Sequence, residues 1–266
     1  MMTIFSKDAL KEQHILITGA TGGIGYETAK ACAAAGAHLT ITGRNEDKLS
    51  LLKGECEELS PLSNVFLFSA DLDDADDRQS LIDAAISENG PITGLVNGAG
   101  IAGGASLDEL DEQDLRRIME LNFTSTVLIT QAVYREMRKT NGGAVVNVSS
   151  LSGLRGTARN SAYAGSKFAL IGFTQSFAVE AIEHGIRVNA VCPGYVDTKM
   201  GRDSIERKGE ISGRSYEEQL KAAKAGIPSG RISTPEEVAQ TILFLLINAA
   251  GNIVGESIKI SGGSVM

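Results

Sequence analysis

Short apolar runs alternate along this chain with longer segments whose apolar residues recur at helical spacing. The runs are rich in Val, Ile and Leu, which is typical of strands that are covered on both faces. They predict strands at residues 14–18, 38–42, 65–68, 92–97, 144–148, 186–192 and 257–260. The longer segments predict helices at residues 24–35, from 45, from 73–74, and at 112–121, 124–139, 161–184 and 234–246.

Repeated strand–helix alternation predicts parallel strands that are joined by right-handed helical crossovers. No linker, repeat or shift in composition divides the chain, so residues 1–266 are interpreted as a single domain. The predicted fold class is α/β, with a Rossmann-type, doubly wound, parallel seven-stranded sheet. In such a sheet the ligand binds at the carboxyl ends of the strands, where the strand order reverses.

Composition and charge favour an enzyme of the cytoplasm. The net charge of -8 argues against a nucleic-acid surface and against binding to anionic membranes. No run approaches the roughly 18 apolar residues of a membrane span, and residues 1–13 lack the apolar core of a signal peptide. The cysteines show no close pair and predict reduced thiols. The histidines show no ligand spacing, so no metal site is expected.

A glycine-rich turn at residues 18–25, TGATGGIG, joins the first predicted strand to the first predicted helix. Glycines let the backbone approach a pyrophosphate, and the helix N-terminus offers free N–H groups and partial positive charge. Gly19, Gly23 and Gly25 fit one dinucleotide-binding spacing, and Gly19, Gly22 and Gly25 fit another. The turn alone therefore leaves compact reductases and larger nucleotide-sugar epimerases open.

Tyr163 and Lys167 stand four residues apart, which places a phenol and an ammonium on one face of a predicted helix. An ammonium beside a phenol favours phenolate and lowers the tyrosine pKa from its ordinary value of about 10. Tyr163 is therefore the predicted general acid or base near neutral pH. Ser150 precedes it in the sequence. Together with the glycine turn, these residues predict a nicotinamide-dependent redox site.

Residues after the next predicted strands suit the adenosine half of a dinucleotide. Gly43 occupies the position where enzymes specific for NAD usually carry an acidic residue. Arg44 follows it and can bind a 2′-phosphate through charge-assisted hydrogen bonds. NADP(H) is therefore the predicted cofactor, with NAD(H) as the alternative. Asp71 can accept a hydrogen bond from adenine, and the small residues at 97–100 allow close packing against the cofactor.

These motifs resemble the compact branch of the short-chain dehydrogenase/reductase family over nearly the whole chain. The resemblance is carried by the glycine turn, Asn97-Gly98-Ala99-Gly100, Asn122, Ser149-Ser150, Tyr163-Ala164-Gly165-Ser166-Lys167 and Pro193-Gly194-Tyr195-Val196-Asp197-Thr198. Two positions depart from the usual family pattern. Gly98 replaces a second asparagine, and Ser261 replaces a common aspartate; neither position touches the chemistry.

The resemblance implies a role for each residue of the site. Tyr163 donates a proton to the carbonyl oxygen, Ser150 holds that oxygen, and Lys167 lowers the pKa of Tyr163 and binds the nicotinamide ribose. Asn122 anchors a water in a proton relay to Lys167, and Thr198 bonds the carboxamide. The implied cofactor-binding set is Gly19, Thr21, Gly23, Ile24, Gly25, Arg44, Asp71, Leu72, Asn97, Ala99, Tyr163, Lys167, Pro193, Gly194, Val196 and Thr198.

The expected function is an oxidoreductase that transfers a hydride between NADP(H) and a small-molecule carbonyl or secondary alcohol. One alternative is a 3-oxoacyl-carrier-protein reductase, whose acidic carrier needs a basic patch such as Arg116, Arg117, Arg155 and Arg159. A non-catalytic dinucleotide sensor is less favoured because Tyr163 and Lys167 are both retained. An epimerase or dehydratase is less favoured because the segment after Lys167 is short for a second substrate domain.

Two further expectations concern the surface. The polar segment at about residues 198–230 is interpreted as a lid over the substrate. The resemblance also implies a homotetramer, in which the helices after Asn122 and around Tyr163 pack against their symmetry mates. An apolar band on the second of these helices is the expected contact, and it includes Ala169, Phe173, Phe177 and Ala178.

Overall fold

The computed structural model describes residues 5–61 and 63–266. The strands are β1 His14–Thr18, β2 His38–Gly43, β3 Val65–Ser69, β4 Gly94–Asn97, β5 Gly143–Val148, β6 Ile186–Pro193 and β7 Ser257–Ile260. They pair in parallel throughout, in the order β3-β2-β1-β4-β5-β6-β7. The predicted α/β class with a doubly wound, seven-stranded parallel sheet is confirmed.

Helices join the strands and cover both faces of the sheet. They are α1 Gly23–Ala34, α2 Glu46–Leu59, α3 Ala75–Asn89, α4 Glu112–Met119, α5 Ser125–Thr140, α6 Ser161–Ala181, α7 Lys199–Ser212, α8 Tyr216–Ala225 and α9 Pro235–Leu246. One apolar cluster packs α1, α2 and α9 on one face, and a second packs α3, α5 and α6 on the other. Because both faces are buried, the strands carry almost continuous apolar runs.

Most predicted boundaries lie within two residues of those in the structure, and two of the differences have an identifiable cause. The fourth strand begins at Gly94 rather than at residue 92, because the Thr93 hydroxyl accepts the backbone N–H of His14 at 2.9 Å in place of a regular ladder bond. The helix predicted at 161–184 ends at Ala181 and tightens into a 3₁₀ turn at Ile182–His184. Gly185 then adopts φ +68°, which stops the helix.

The polar segment predicted as a lid is mostly helical. Thr198 accepts the backbone N–H of Gly201 and caps α7, and Ser215 forms a capping box with Glu218 at the start of α8. Capping bonds within the segment therefore stabilise both helices. Of the α7 residues only Ile205 and Gly209 are buried, so packing against the rest of the protein contributes little.

The described part of the chain shows three buried free thiols, Cys32, Cys56 and Cys192. Within that part, no three His, Cys, Asp or Glu side chains are grouped so as to hold a metal ion. None of its helices is long and apolar enough to cross a membrane.

Candidate active site

The carboxyl ends of four neighbouring strands bring the candidate site together. The strand order reverses at β1 and β4, which opens a crevice above their carboxyl ends. The glycine turn follows β1, and residues 98–101 follow β4. Ser150 follows β5, and residues 194–198 follow β6.

Three glycines of the turn have no room for a side chain. Gly19 has φ +67°, and a Cβ there would lie 2.6 Å from the backbone nitrogen of Ala99. A Cβ at Gly25 would overlap the carbonyl oxygen of Gly19, and one at Gly23 would lie 2.5 Å from Cγ2 of Thr198. A Cβ at Gly22 would meet only the Gly19 oxygen, at 3.3 Å. The structure thus selects Gly19, Gly23 and Gly25 as the constrained set and resolves the ambiguity in spacing.

This turn fits the pyrophosphate of a dinucleotide. The N-cap of α1 is Gly22, which makes no side-chain capping bond, and the first turn holds no acidic residue. The first N–H groups of α1 are therefore left for an anion, and the absence of Cβ atoms lets that anion approach the backbone. Thr21 and Ile24 lie half-buried in the same turn.

Tyr163 and Lys167 share one face of α6, as their spacing predicts. The Lys167 Nζ lies 5.7 Å from the centroid of the Tyr163 ring. This ammonium is buried and donates a hydrogen bond of 2.9 Å to the Val148 carbonyl at the end of β5. Sequence reasoning missed this carbonyl, since backbone acceptors leave no signature in side-chain patterns.

Ser150 is held beside the tyrosine by its own turn. Its Oγ accepts the backbone N–H of Ser152 at 3.1 Å and caps the 3₁₀ turn Leu151–Gly153. The same hydroxyl donates a hydrogen bond to the phenol oxygen of Tyr163, which acts to lower the tyrosine pKa. Ser150, Tyr163 and Lys167 are thus brought together, as the sequence predicts.

The predicted direction of the Tyr163 pKa is wrong for this arrangement. Burial raises the pKa of Tyr163, and the hydrogen bond from Ser150 opposes that rise only in part. Burial also lowers the pKa of Lys167 to about 8, since the charged ammonium loses hydration. Helical spacing places the two groups on one face but carries no information on how far both are removed from water.

Asn122 lies in a π-helical turn, Glu120–Thr124, that joins α4 to α5. Its fully buried side chain accepts the Ile101 N–H at 2.8 Å and donates to the Ile101 carbonyl at 2.9 Å. A Cβ at Gly100 would lie 3.1 Å from Asn122 Oδ1 and 3.6 Å from Lys167 Nζ. Asn122 and Lys167 therefore border the same small space. Rare π-helical turns often occur at functional sites.

The residues predicted to read the ribose lie at the end of β2. A Cβ at Gly43 would lie 3.0 Å from both Cγ2 and Oγ1 of Thr21, so this position adjoins the glycine turn. Arg44 is exposed, and it forms no hydrogen bond or ion pair with any residue that the structure describes. Its guanidinium is therefore free to meet an anion at the edge of the crevice.

The other predicted adenosine contacts divide into surface and interior positions. Asp71 is exposed after β3, where its carboxylate accepts the backbone N–H of Asp73 at 3.2 Å, and Leu72 beside it is buried. Asn97 points into the sheet instead of towards the glycine turn. Its amide donates to neighbours on β5 and α5, Asn147 and Thr130, both at 2.8 Å.

The backbone of Gly98 and Ala99, directly after β4, faces the glycine turn, and the Asn97 side chain does not. The N–H groups of Gly98 and Ala99 point to the Thr18 hydroxyl, at 3.1 and 3.3 Å. The end of β4 is thereby fastened to the end of β1. Ala99 is thus the member of the predicted set that lines the turn through its backbone, next to Gly19.

The segment after β6 links the crevice to the lid helices. Pro193 ends β6, and the Gly194 N–H donates to the Ile260 carbonyl at 2.9 Å. Val196 is buried, and the Thr198 hydroxyl caps α7 while its methyl group lies against Gly23 of the glycine turn. The glycine turn and α7 therefore meet at Thr198.

Comparison with known proteins identifies the family. The family model for short chain dehydrogenases matches residues 13–209. This chain belongs to the short-chain dehydrogenase family. It is 35% identical over 250 residues to the 3-oxoacyl-(acyl-carrier-protein) reductase FabG of Chlamydia muridarum, with 93% of this chain and 95% of that protein covered.

Solved structures of similar fold support the same family assignment. An actinorhodin polyketide ketoreductase with NADPH has a TM-score of 0.91 and 31% identity, covering 95% of this chain and 97% of that one. An NAD+-bound xylitol dehydrogenase also has a TM-score of 0.91, with 26% identity, covering 96% of this chain and 99% of that one. The chain is thus an NAD(P)-dependent oxidoreductase of this family, not a non-catalytic sensor. Because the two neighbours hold different dinucleotides, they leave the cofactor preference open.

Proposed function

We propose that this oxidoreductase reduces a small-molecule ketone with NADPH in preference to NADH. The observation that supports this preference is the pairing of Gly43 and Arg44 at the end of β2. Glycine adjoins Thr21 without a carboxylate that would repel a 2′-phosphate, and the Arg44 guanidinium has no partner among the described residues. A charge-assisted bond from arginine to phosphate is worth roughly 1.5–3 kcal/mol, or about 10- to 100-fold in affinity.

The chemistry follows from the groups beside α6. The glycine turn would hold the pyrophosphate of a nicotinamide dinucleotide and Lys167 would bond its ribose; the dinucleotide would supply the hydride. Ser150 positions the substrate oxygen through its hydroxyl, and Tyr163 donates a proton to that oxygen as negative charge develops on it. Asn122, next to Lys167 beside Gly100, holds the backbone of Ile101 in place and is the proposed anchor of the proton relay.

Comparison of kcat/KM for the two cofactors tests the preference. We expect NADPH to exceed NADH by at least about tenfold, the lower end of what one arginine–phosphate bond provides. Arg44→Ala should weaken the use of NADPH and spare NADH. Lys48→Ala, which removes an exposed cation from the next turn of the chain, is the matched control. Equal values for both cofactors in the unmodified enzyme would show that Arg44 does not read the phosphate.

Gly43→Asp gives the complementary test. The new carboxylate would repel a 2′-phosphate and favour NADH, but its Cβ would also press on Thr21. The double variant Gly43→Asp with Thr21→Ala removes both Thr21 atoms that the new Cβ would meet, Cγ2 and Oγ1. Recovery of NADH use in the double variant separates charge repulsion from crowding.

A second candidate, reduction of 3-oxoacyl groups on a carrier protein, is favoured by one surface. A groove at the ends of α5 and α6 is lined by Arg135, Arg138, Lys139 and His184 on a chain of net charge -8. The patch predicted from sequence is less suitable, because three of its four arginines pair with acidic residues of this chain, whereas one of the four groove residues, Lys139, does so, with Glu136. The three arginine pairs are Arg116 with Glu112, Arg117 with Asp114 and Arg159 with Glu109.

Charge reversal distinguishes the two candidates. Arg138→Glu should lower kcat/KM for a 3-oxoacyl carrier protein and leave the matching N-acetylcysteamine thioester unchanged, because only the carrier contacts the groove. Equal kcat/KM values for the two substrates in the unmodified enzyme would leave the small-molecule assignment in place.

We also propose that the enzyme assembles through α6. The band predicted from sequence belongs mainly to the interior: Phe177 and Ala178 are buried, and Phe173 stacks on Phe177. The exposed face carries Phe168 and Val179, which are 46% and 70% exposed. A helix face of this kind is suited to a symmetry mate, which supports the homotetramer.

Light scattering tests this assembly. Phe168→Glu combined with Val179→Glu should lower the molar mass from that of a tetramer, since charges would be buried in the contact. A single-protomer mass for the unmodified protein at assay concentration would contradict the proposal.

Reduced buried thiols favour the cytoplasm as the location of this protein.

A further inference from the structure

Arg207 places a guanidinium at the inner edge of the lid. It lies half-buried on α7, against the loop that follows β4. A Cβ at Gly104 would lie 2.6 Å from the Arg207 Cζ and Nε and 2.8 Å from its Nη1. Glycine at this position therefore gives the guanidinium the space that it occupies.

The adjoining glycine connects this guanidinium to the catalytic tyrosine. A Cβ at Gly103 would lie 3.4 Å from the Cβ of Tyr163. Consecutive Cα atoms are about 3.8 Å apart, so the Arg207 Cζ lies no more than about 13 Å from the Tyr163 Cβ. The two side chains therefore flank the same loop after β4, and the distance from the phenol hydroxyl to the guanidinium sets the length of the molecule that can join them.

Arg207 lacks the acidic partner that two other cations of α7, Lys199 and Arg202, have. Arg202 pairs with Asp197, and Lys199 pairs with Asp203. No residue that the structure describes forms an ion pair or hydrogen bond with the Arg207 side chain. A half-buried guanidinium loses part of its hydration. Its burial is favourable only when an acceptor replaces the lost water, and here a ligand would supply that acceptor.

A second cation lies next to it without a carboxylate. The Lys208 ammonium bonds the Tyr195 hydroxyl at 2.5 Å and lies 5.0 Å from the centroid of that ring. Tyr195 belongs to the segment that leads from β6 into the lid. This contact joins the segment before α7 to the second half of that helix, at the residue next to Arg207.

We propose that Arg207 binds an oxyanion on the substrate, at the end of the molecule remote from the reacting carbonyl. The substrate class is then the small oxo acids and the corresponding hydroxy acids, and a carboxylate matches the planar fork of the guanidinium. This proposal rests on the proposed function, since it places the reacting carbonyl at Ser150 and Tyr163. It makes the lid the part of the fold that selects the substrate.

Acid and ester pairs provide the test in turnover. The probes are 4-oxopentanoate, 5-oxohexanoate and 6-oxoheptanoate, each compared with its methyl ester, at saturating NADPH. We expect the enzyme to prefer at least one acid over its ester, and Arg207→Gln to lower that acid-to-ester ratio about 10- to 100-fold, mainly through KM. Lys221→Gln removes an exposed charge from the same lid and should leave the ratio unchanged.

Gly104→Ala provides an independent variant. Its methyl group would displace the guanidinium without removing it, so the acid-to-ester ratio should fall as in Arg207→Gln. A parallel loss for acids and esters in both variants would show a structural role in the lid and overturn the proposal. No preference for any acid in the unmodified enzyme would also overturn it.

Calorimetry separates this proposal from the proposed function. The Tyr163→Phe protein, loaded with NADP+, is titrated with each oxo acid and with its methyl ester. Tighter binding of an acid that Arg207→Gln removes supports the inference even if turnover fails. Turnover of neutral ketones without any acid-selective binding would keep the proposed function and reject the role of Arg207.

Discussion

The two ends of the parallel sheet both bury polar side chains but use them differently. At the amino end, the ring nitrogens of His14 lie 2.9 Å from the Gly90 carbonyl oxygen and 2.8 Å from the Thr40 hydroxyl. Arg187, at the start of β6, donates to the carbonyl groups that end α9, those of Leu245, Leu246 and Ile247. Both nitrogens of the histidine and the fork of the arginine are thus occupied by the protein itself.

At the carboxyl end, buried polar groups keep unused hydrogen-bonding capacity. The Lys167 ammonium has three N–H donors, and in the described structure it gives one of them to the Val148 carbonyl. The Tyr163 hydroxyl contacts Ser150, and under the proposed function both hydroxyls would also bond the substrate oxygen. The difference teaches that burial of a polar group does not mark a functional site by itself. Burial with spare donors beside a crevice is the stronger indication, because those donors are left for a ligand or a water.

The largest expected effect comes from removing the proposed proton donor at the carboxyl end. Tyr163→Phe deletes one oxygen and keeps the ring, so kcat should fall about 10²–10⁴-fold while dinucleotide binding stays near normal. Steady-state kinetics and a fluorescence titration with NADPH measure the two quantities. Because the hydroxyl serves chemistry, the free energy of unfolding should change little.

Tyr134→Phe is the matched control for this variant. Tyr134 packs edge-on against Phe177 in the interior and lies on α5, away from the crevice. Its loss of a hydroxyl should leave kcat unchanged. Full turnover by Tyr163→Phe would reject the mechanism and, with it, the assignment of the carboxyl end to catalysis.

Much of this contrast can be predicted from sequence, because it depends on local patterns. The alternation of apolar runs predicts the sheet, the glycine turn predicts the phosphate cradle, and the spacing of Tyr163 and Lys167 predicts a shared helix face. The hydrogen-bond partners of polar side chains buried in the sheet cannot be predicted from such local patterns. The acceptors of Arg187 come from a helix far along the chain, and the carbonyl that holds Lys167 belongs to another strand.

Helical stripes show the same limit. Phe173 and Phe177 fit an assembly face as well as a core face by periodicity, and only the fold decides that they are internal. The predicted direction of the Tyr163 pKa shift is wrong for a related reason: the spacing of residues in the sequence shows that Tyr163 and Lys167 are close, but not that they are buried. Gly103 and Gly104 are a signal that could have pointed to Arg207, because adjacent glycines after a strand allow a close approach.

An intermediate effect, on stability alone, is expected at the amino end. Arg187→Met keeps the buried aliphatic stem but removes the side-chain donor from three carbonyl groups at the end of α9, of which the Ile247 carbonyl keeps another donor, the Ala250 N–H at 3.2 Å. The free energy of unfolding should fall by about 2–4 kcal/mol, with kcat per folded enzyme unchanged. Urea unfolding and active-site-normalised kinetics check the two parts.

Arg231→Met is the control for the loss of an arginine near α9. Arg231 pairs with Glu237 in the first turn of that helix, where both side chains are exposed to water. Water replaces such a contact readily, so the change in stability should be far smaller than for Arg187→Met. If the two variants lost equal stability, the proposed role of the buried guanidinium as a cap of α9 would be wrong.

The smallest effect concerns the pH dependence of stability through His14. Burial lowers the pKa of His14 from 6.5 to about 4, although the hydrogen bond to Gly90 acts in the other direction. Between these two values the unfolded chain binds a proton that the folded chain does not, so stability rises with pH across this window. The contribution is fully present above pH 6.5 and is lost as the pH falls towards 4.

His14→Gln removes the titration while keeping an amide that can bond both Gly90 and Thr40. Melting temperatures between pH 4 and 7 should therefore decline less steeply with acid for the variant than for the unmodified protein. The corresponding difference in the free energy of unfolding between the two proteins should change by on the order of 2 kcal/mol across the window. His184→Gln, at the end of α6, is the matched control and should follow the unmodified protein. Parallel curves for His14→Gln and the unmodified protein would show that the amino end does not hold His14 neutral, and the contrast between the two ends would then rest on Arg187 alone.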